Sequence, residues 1–205
     1  MKTSTFGAIV LSAIATSVAG AGIVVSTNKI VWDMQTGGAG LTSVTETFNG
    51  IANGSYADPY TASIGSVGSG MTWSASAAGG LFVQSGLFST NNPADLTFTF
   101  SPGIQAVAGN FFATDIAFGA VPALFRVTLS DGTGYEGFAE SGSDFTGFFS
   151  TSGATITSLT VRVTPLQGEA DLYPTVDNLY FGIPAPGVFA LLGVAGVLGF
   201  GMRRR

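Results

Sequence analysis

The chain has neither histidine nor cysteine among its 205 residues. Without histidine, Ser-His-Asp and Cys-His catalysis are excluded, and the commonest zinc and iron ligand is missing. Without cysteine there is no disulfide, no thiolate metal site and no lipid anchor on a thiol. Charge is scarce too, at 9% of residues, with only 7 Lys and Arg in all. Four of those sit at the termini, Lys2 and Arg203 to Arg205, so Lys29, Arg126 and Arg162 serve everything between. All 12 acidic residues fall in that middle stretch, giving it a formal charge of 3 − 12 = −9. Such a surface disfavours nucleic acid and anionic lipid, because phosphate is neutralised by Lys and Arg. Ser-Lys catalysis would have to use Lys29, in a stretch with little pattern.

What is present begins with the two ends. Residues 1–21 read as a secretory signal peptide: Lys2, an apolar run from Phe6 to Val18, then small residues with a cleavage site around Ala19 and Ala21. At the other end, Ile183-Pro184-Ala185-Pro186-Gly187 precedes an apolar run from Val188 to Met202 and then Arg203, Arg204 and Arg205. At about 1.5 Å per residue that run covers about 22 Å, short of a hydrocarbon core of about 30 Å. Gly193, Gly196, Gly199 and Gly201 weaken it further as a helix. Terminal arginines stay on the cytoplasmic side, which puts the body across the membrane. A short, glycine-weakened span suits a transient anchor that is processed.

This order of parts resembles bacterial PEP-CTERM proteins, the substrates of exosortases. Pro184, Pro186, Leu191, Leu192, Gly193, Leu198 and Arg203 to Arg205 carry the resemblance, with Ala185 standing where the family usually has Glu. Weaker similarity to the β-sandwich members lies in Thr47–Gly50, Phe111–Asp115, Leu129–Gly132, Phe148-Phe149 and Val176–Gly182. The resemblance implies export by the secretion machinery, transient residence in the inner membrane and a sorting enzyme of the exosortase type. It implies a mature protein at the cell surface or in an extracellular polymer matrix.

The middle, residues 22–183, is one domain's worth of chain and can bury about 70% of its unfolded surface. Its pattern is two-fold. Met71–Ala77, Leu96–Phe100, Phe125–Leu129 and Leu159–Val163 alternate apolar with hydroxylic or charged residues, as half-buried strands do. Asn91-Asn92-Pro93, Ser101-Pro102-Gly103, Ser130-Asp131-Gly132 and Ser152-Gly153 are turn signals between them, and Asp131-Gly132 predicts a type I′ hairpin. No stretch of ten residues shows a 3.6 period. The expected fold is all-β: a single antiparallel β-sandwich or jelly roll without helices.

Three functions compete. The first is a non-enzymatic structural or matrix component. The second is a carbohydrate-binding module using Tyr56, Tyr60, Tyr135 and Tyr173, which lie in or beside loops rich in Gly, Asp and Pro. The third, a glycoside hydrolase, needs two carboxylates about 5–9.5 Å apart across a cleft. Asp131 reads as a turn residue, and Glu136, Glu140 and Asp144 bracket a loop, so no pair stands out. Trp73 shares a strand face with Met71 and Ala75 and reads as core, as do most of the 17 Phe. Two readings compete for Glu46 in Val44–Phe48 and Asp177 beside Asn178: carboxylates at strand ends that reach water or pair with Lys29 or Arg162, or joint ligands of a structural calcium ion near the first and last strands. On strict alternation both carboxylates would point inward, where a cation would offset the cost of burial.

Overall fold

The four alternating segments all form strands, and all four lie in the same sheet. A computed structural model describes residues 22–65, 70–166 and 171–185. The signal peptide with Ala19 and Ala21, and the tail from Pro186 through Gly187 to Arg203, Arg204 and Arg205, lie outside the described residues. In chain order the elements are β1 (Ile23–Ser26), α1 (Lys29–Gly38), β2 (Leu41–Glu46), β3 (Gly54–Tyr56), β4 (Tyr60–Ser63), β5 (Thr72–Ser76), β6 (Leu81–Gln84) and β7 (Leu87–Thr90). They continue as β8 (Leu96–Phe100), β9 (Ala106–Thr114), β10 (Ala120–Val121), β11 (Ala123–Leu129), β12 (Gly134–Ala139), β13 (Phe145–Ser150), β14 (Ser158–Thr164) and β15 (Tyr173–Pro184).

They build an antiparallel sandwich. One sheet has six strands in the order β12-β11-β14-β8-β5-β4. The other has nine, in the order β1-β13-β9-β15-β7-β6-β3, with β2 added on β15 and β10 on β9. Between the sheets the alternating positions deliver an aromatic core. Trp73 is fully buried, with Phe48, Phe88 and Phe98 at ring distances of 5.6, 5.5 and 5.8 Å. Each such ring removed from water contributes about 1.5–3 kcal/mol.

A helix was not expected, yet α1 covers part of the outer face of the nine-stranded sheet. Asn28 caps it, its Oδ1 accepting from the N–H groups of Ile30 (2.9 Å) and Val31 (3.3 Å). Trp32 anchors it: the ring is fully buried against Ala106, Ala108 and Phe149, and Nε1 donates to the Phe148 carbonyl at 3.2 Å. Gly147 permits this approach, since a Cβ there would lie 2.5 Å from the Trp32 ring. The helical period is hidden because only Trp32 and Thr36 are buried, while Ile30 and Met34 are 71% and 72% exposed.

Two turns differ from expectation. The hairpin between β11 and β12 is present, but its loop has three residues: Gly132 N–H donates to the Leu129 carbonyl and Leu129 N–H to that of Thr133. Only Gly132 is left-handed, at φ +85°, so this is a bulge-type hairpin. The two-residue loop with both central residues at positive φ, as type I′ requires, is Ser85-Gly86 between β6 and β7. A third irregularity lies in β15, whose register on β9 shifts between Val176 and Leu179. The extra residue lets Val176 and Leu179 both enter the core, so strict alternation fails at Asp177.

Candidate functional site

Most of the described carboxylates have local partners. Lys29 pairs with Asp33 at 2.7 Å and sits 4.9 Å from the centre of the Tyr180 ring. Arg162 grips Asp95 with two nitrogens, Nε donating at 2.8 Å, and this pairing pushes the guanidinium pKa further up. Asp131 accepts from the N–H and hydroxyl of Thr133 at 2.9 and 3.0 Å. Glu136, expected in a loop, is in β12 and faces Arg126 at 3.5 Å. Asp144 accepts from the N–H groups of Glu140 and Ser141 at 2.7 and 2.9 Å. One groove, of ≈ 250 Å³, is lined by two carboxylates, Asp95 and Asp171; Arg162 takes both oxygens of the first, and the second is exposed.

Glu46 and Asp177 do lie on neighbouring strands, with Glu46 opposite Leu179. Glu46 closes β2, and its carboxylate accepts from the Phe48 N–H at 2.8 Å and from Trp73 Nε1 at 3.4 Å. Asp177 sits in the bulge, accepting from Asn178 Nδ2 at 3.0 Å, and its charge acts on Tyr180 of the helix-covered face. Burial raises the Asp177 pKa, and the Asn178 hydrogen bond opposes that rise. No group of three acidic side chains converges among the described residues.

All four tyrosines are in strands, with Tyr56, Tyr60 and Tyr173 at strand ends beside loops. Tyr56 and Tyr60 pack against the core with rings 5.0 Å apart, and the Tyr56 hydroxyl donates to the Ala52 carbonyl at 2.6 Å. Burial first, then the nearby Tyr56 and Glu46, raises the Tyr60 pKa. Tyr135 packs on Phe125 at 5.8 Å, and burial, with Asp144 second, raises its pKa. Tyr173, at the start of β15, differs: it lines an open groove of ≈ 280 Å³ on the outer face of the nine-stranded sheet.

That groove is built by three pieces. On β6, Leu81 and Val83 point into the core, so alternation turns Phe82 and Gln84 outward. The five residues Asp115–Gly119 join β9 to β10 and place Phe118 on Phe82, ring centres 5.0 Å apart and planes tilted by 35°. Tyr173 closes the third side, with Thr90 and Asn91 at the end of β7. Beneath, the hydroxyls of Ser89, Thr175 and Thr114 link β7, β15 and β9 at 2.8 Å each, a fully buried ladder that stiffens the floor.

The Asp115 loop is closed by its own first residue. Asp115 Oδ1 accepts from the N–H groups of Ala117 and Gly119, both at 2.9 Å, and the main chain adds Phe118 N–H to Asp115 O at 3.1 Å. Phe118 is thereby held at φ +63°, a left-handed conformation that is strained for a residue with a side chain. Neither Phe82 nor Phe118 stands out among the 17 Phe of the sequence, and the Asp-x-x-x-Gly spacing around Phe118 is the trace this loop leaves there. Among the described residues no helix is long and apolar enough to cross a membrane. Comparison with protein-family models, with curated proteins and with solved structures finds no match.

Proposed function

We propose that the chain is an exported, non-enzymatic β-sandwich, delivered to the cell surface or extracellular polymer matrix by an exosortase-type C-terminal signal and serving there as a matrix component. The observation that carries this reading is the junction between domain and tail. β15 is an interior strand of its sheet, Pro184 is still paired opposite Leu41, and the Ala185 N–H reaches the Gly40 carbonyl at 3.4 Å. The described sheet runs to Pro184, so removal of residues 187–205 would leave every described strand in place. A non-enzymatic role is supported by the acids: Asp33, Asp95 and Glu136 pair with lysine or arginine, and Glu46, Asp115, Asp131 and Asp144 accept from backbone N–H groups.

Intact-mass measurement of protein from the surface fraction tests the proposal. The mature form is expected to lack the segment from Gly187 to Arg205. Recovery of the complete C-terminus from exported protein would reject processing and leave the apolar run as a permanent anchor.

A further inference from the structure

We propose that the groove between β6, the Asp115–Gly119 loop and Tyr173 binds a chain of neutral sugar residues. Among the described residues, two phenylalanines occupy left-handed backbone, Phe48 at φ +57° and Phe118 at φ +63°. Such strain persists only where the surroundings compensate for it, and it concentrates at functional sites. Phe48 is compensated, being fully buried between Trp73 and Phe88. Phe118 is only half-buried, and the neighbouring Ile116 is 83% exposed. A glycine at 118 would adopt this turn at no steric cost. The strain at Phe118 therefore serves to present an aromatic ring at the surface.

The lining selects the ligand. A pyranose has a face of C–H groups that packs on an aromatic ring and a rim of hydroxyls that both donate and accept. Phe82, Phe118 and Tyr173 supply ring surface, and the Gln84 carboxamide both donates and accepts, while that of Asn91 is bonded to Ser55 and to the Gly79 carbonyl. No Lys or Arg lines the groove, and the one charged group there, Asp115, is negative and turned to its own loop amides. With a body of formal charge −9, an anionic polymer would be repelled, whereas a neutral one is not. A volume of ≈ 280 Å³ is at the lower end of ligand sites, about 300–1,000 Å³. The open form suits a short stretch of a longer chain passing over the rings.

The test is native affinity electrophoresis of the purified full-length protein through gels containing hydroxyethylcellulose, xylan, galactomannan or a β-1,3-glucan, with alginate as the anionic control. A proline-rich decapeptide, the other chain that aromatic grooves take, is titrated separately by calorimetry. At least one neutral polysaccharide should retard the protein. Phe118→Gly should weaken that binding tenfold or more and Ile116→Ser threefold or more, while Phe138→Ser, exposed on the six-stranded sheet, should bind as the parent does. Ile116→Ser alters only a solvent-facing side chain, so it carries the test if Phe118→Gly does not fold. No retardation by any neutral polymer, retardation by alginate alone, binding of the peptide alone, or undiminished binding by Ile116→Ser or folded Phe118→Gly would each overturn the proposal. The outcome is independent of processing at the tail, because the purified chain binds or fails to bind whatever becomes of residues 187–205.

Discussion

Phe48 and Phe118 are the same residue in nearly the same strained backbone, and an acidic side chain secures each. Glu46 accepts from the N–H of Phe48 itself, whereas Asp115 accepts from the N–H groups on either side of Phe118. Their surroundings are opposite. Around Phe48 the ring and the Trp73 indole are fully buried between the sheets, and the half-buried Glu46 carboxylate accepts from both residues. Around Phe118 the hydrogen bonds lie within the loop, and its ring packs on that of Phe82. Strain of about 1–3 kcal/mol is absorbed in the first place by burial. In the second it is held by the loop's own hydrogen bonds and by the packing of the half-buried ring on Phe82.

The comparison breaks most visibly at Phe48. Replacing Phe48 by Ala removes a fully buried ring and should cost about 3–5 kcal/mol, read as a lowered denaturation midpoint. A loss below about 1 kcal/mol would mean that the ring does not compensate its backbone. Glu46→Ala comes next. It leaves the Phe48 N–H and Trp73 Nε1 without an acceptor, and each orphaned donor costs about 1–3 kcal/mol.

Much of the sandwich was legible because one of its sheets has a wet face. β5, β8, β11 and β14, all in the six-stranded sheet, alternate cleanly between core and solvent. β9 is different: all nine residues from Ala106 to Thr114 are buried, because Val107 and Phe111 face the other sheet while Ala106 and Ala108 lie under Trp32. A strand covered on both sides has no two-fold pattern to read. The helix that provides the cover was equally hidden, since Ile30 and Met34 face outward. The groove fell between these cases. Tyr173 was visible as an aromatic beside a Pro, but Phe82 and Phe118 are marked only by which strand face and which turn they occupy, and neither follows from residue type.

Asp115→Ala sharpens the contrast with Glu46→Ala. The loop amides that lose their acceptor can be solvated, so the global midpoint should fall by less than about 1 kcal/mol. Hydrogen exchange at the Ala117 and Gly119 amides should nonetheless accelerate at least tenfold. Unchanged protection at both would mean that Asp115 does not hold the loop. Phe118→Gly, smaller still, should leave stability within about 1 kcal/mol of the parent, because relieved strain offsets lost ring contact. A loss as large as that of Phe48→Ala would place Phe118 in the core after all.

Asp177 gives the smallest effect and extends the comparison to a third acid at a backbone irregularity. Glu46 and Asp115 accept from backbone N–H groups; among the described residues Asp177 accepts only from the Asn178 side chain, and its burial disfavours the charged form. Its folded pKa is therefore raised above the unfolded value. The folded state holds this proton more tightly, so the contribution of Asp177 to stability is greatest below the unfolded carboxylate pKa, near 4. It declines as pH climbs through the folded pKa, and at neutral pH the charge is a net cost. Asp177→Asn removes the titration and retains an oxygen that can accept from Asn178. The variant should melt slightly above the parent at pH 7, and the gap should shrink as the pH is taken down through the carboxylate range. Melting curves at pH 3.5, 5 and 7 check this. A variant less stable than the parent at pH 7, with a gap that does not move with pH, would show that the bulge depends on the carboxylate as an acceptor and not on its charge.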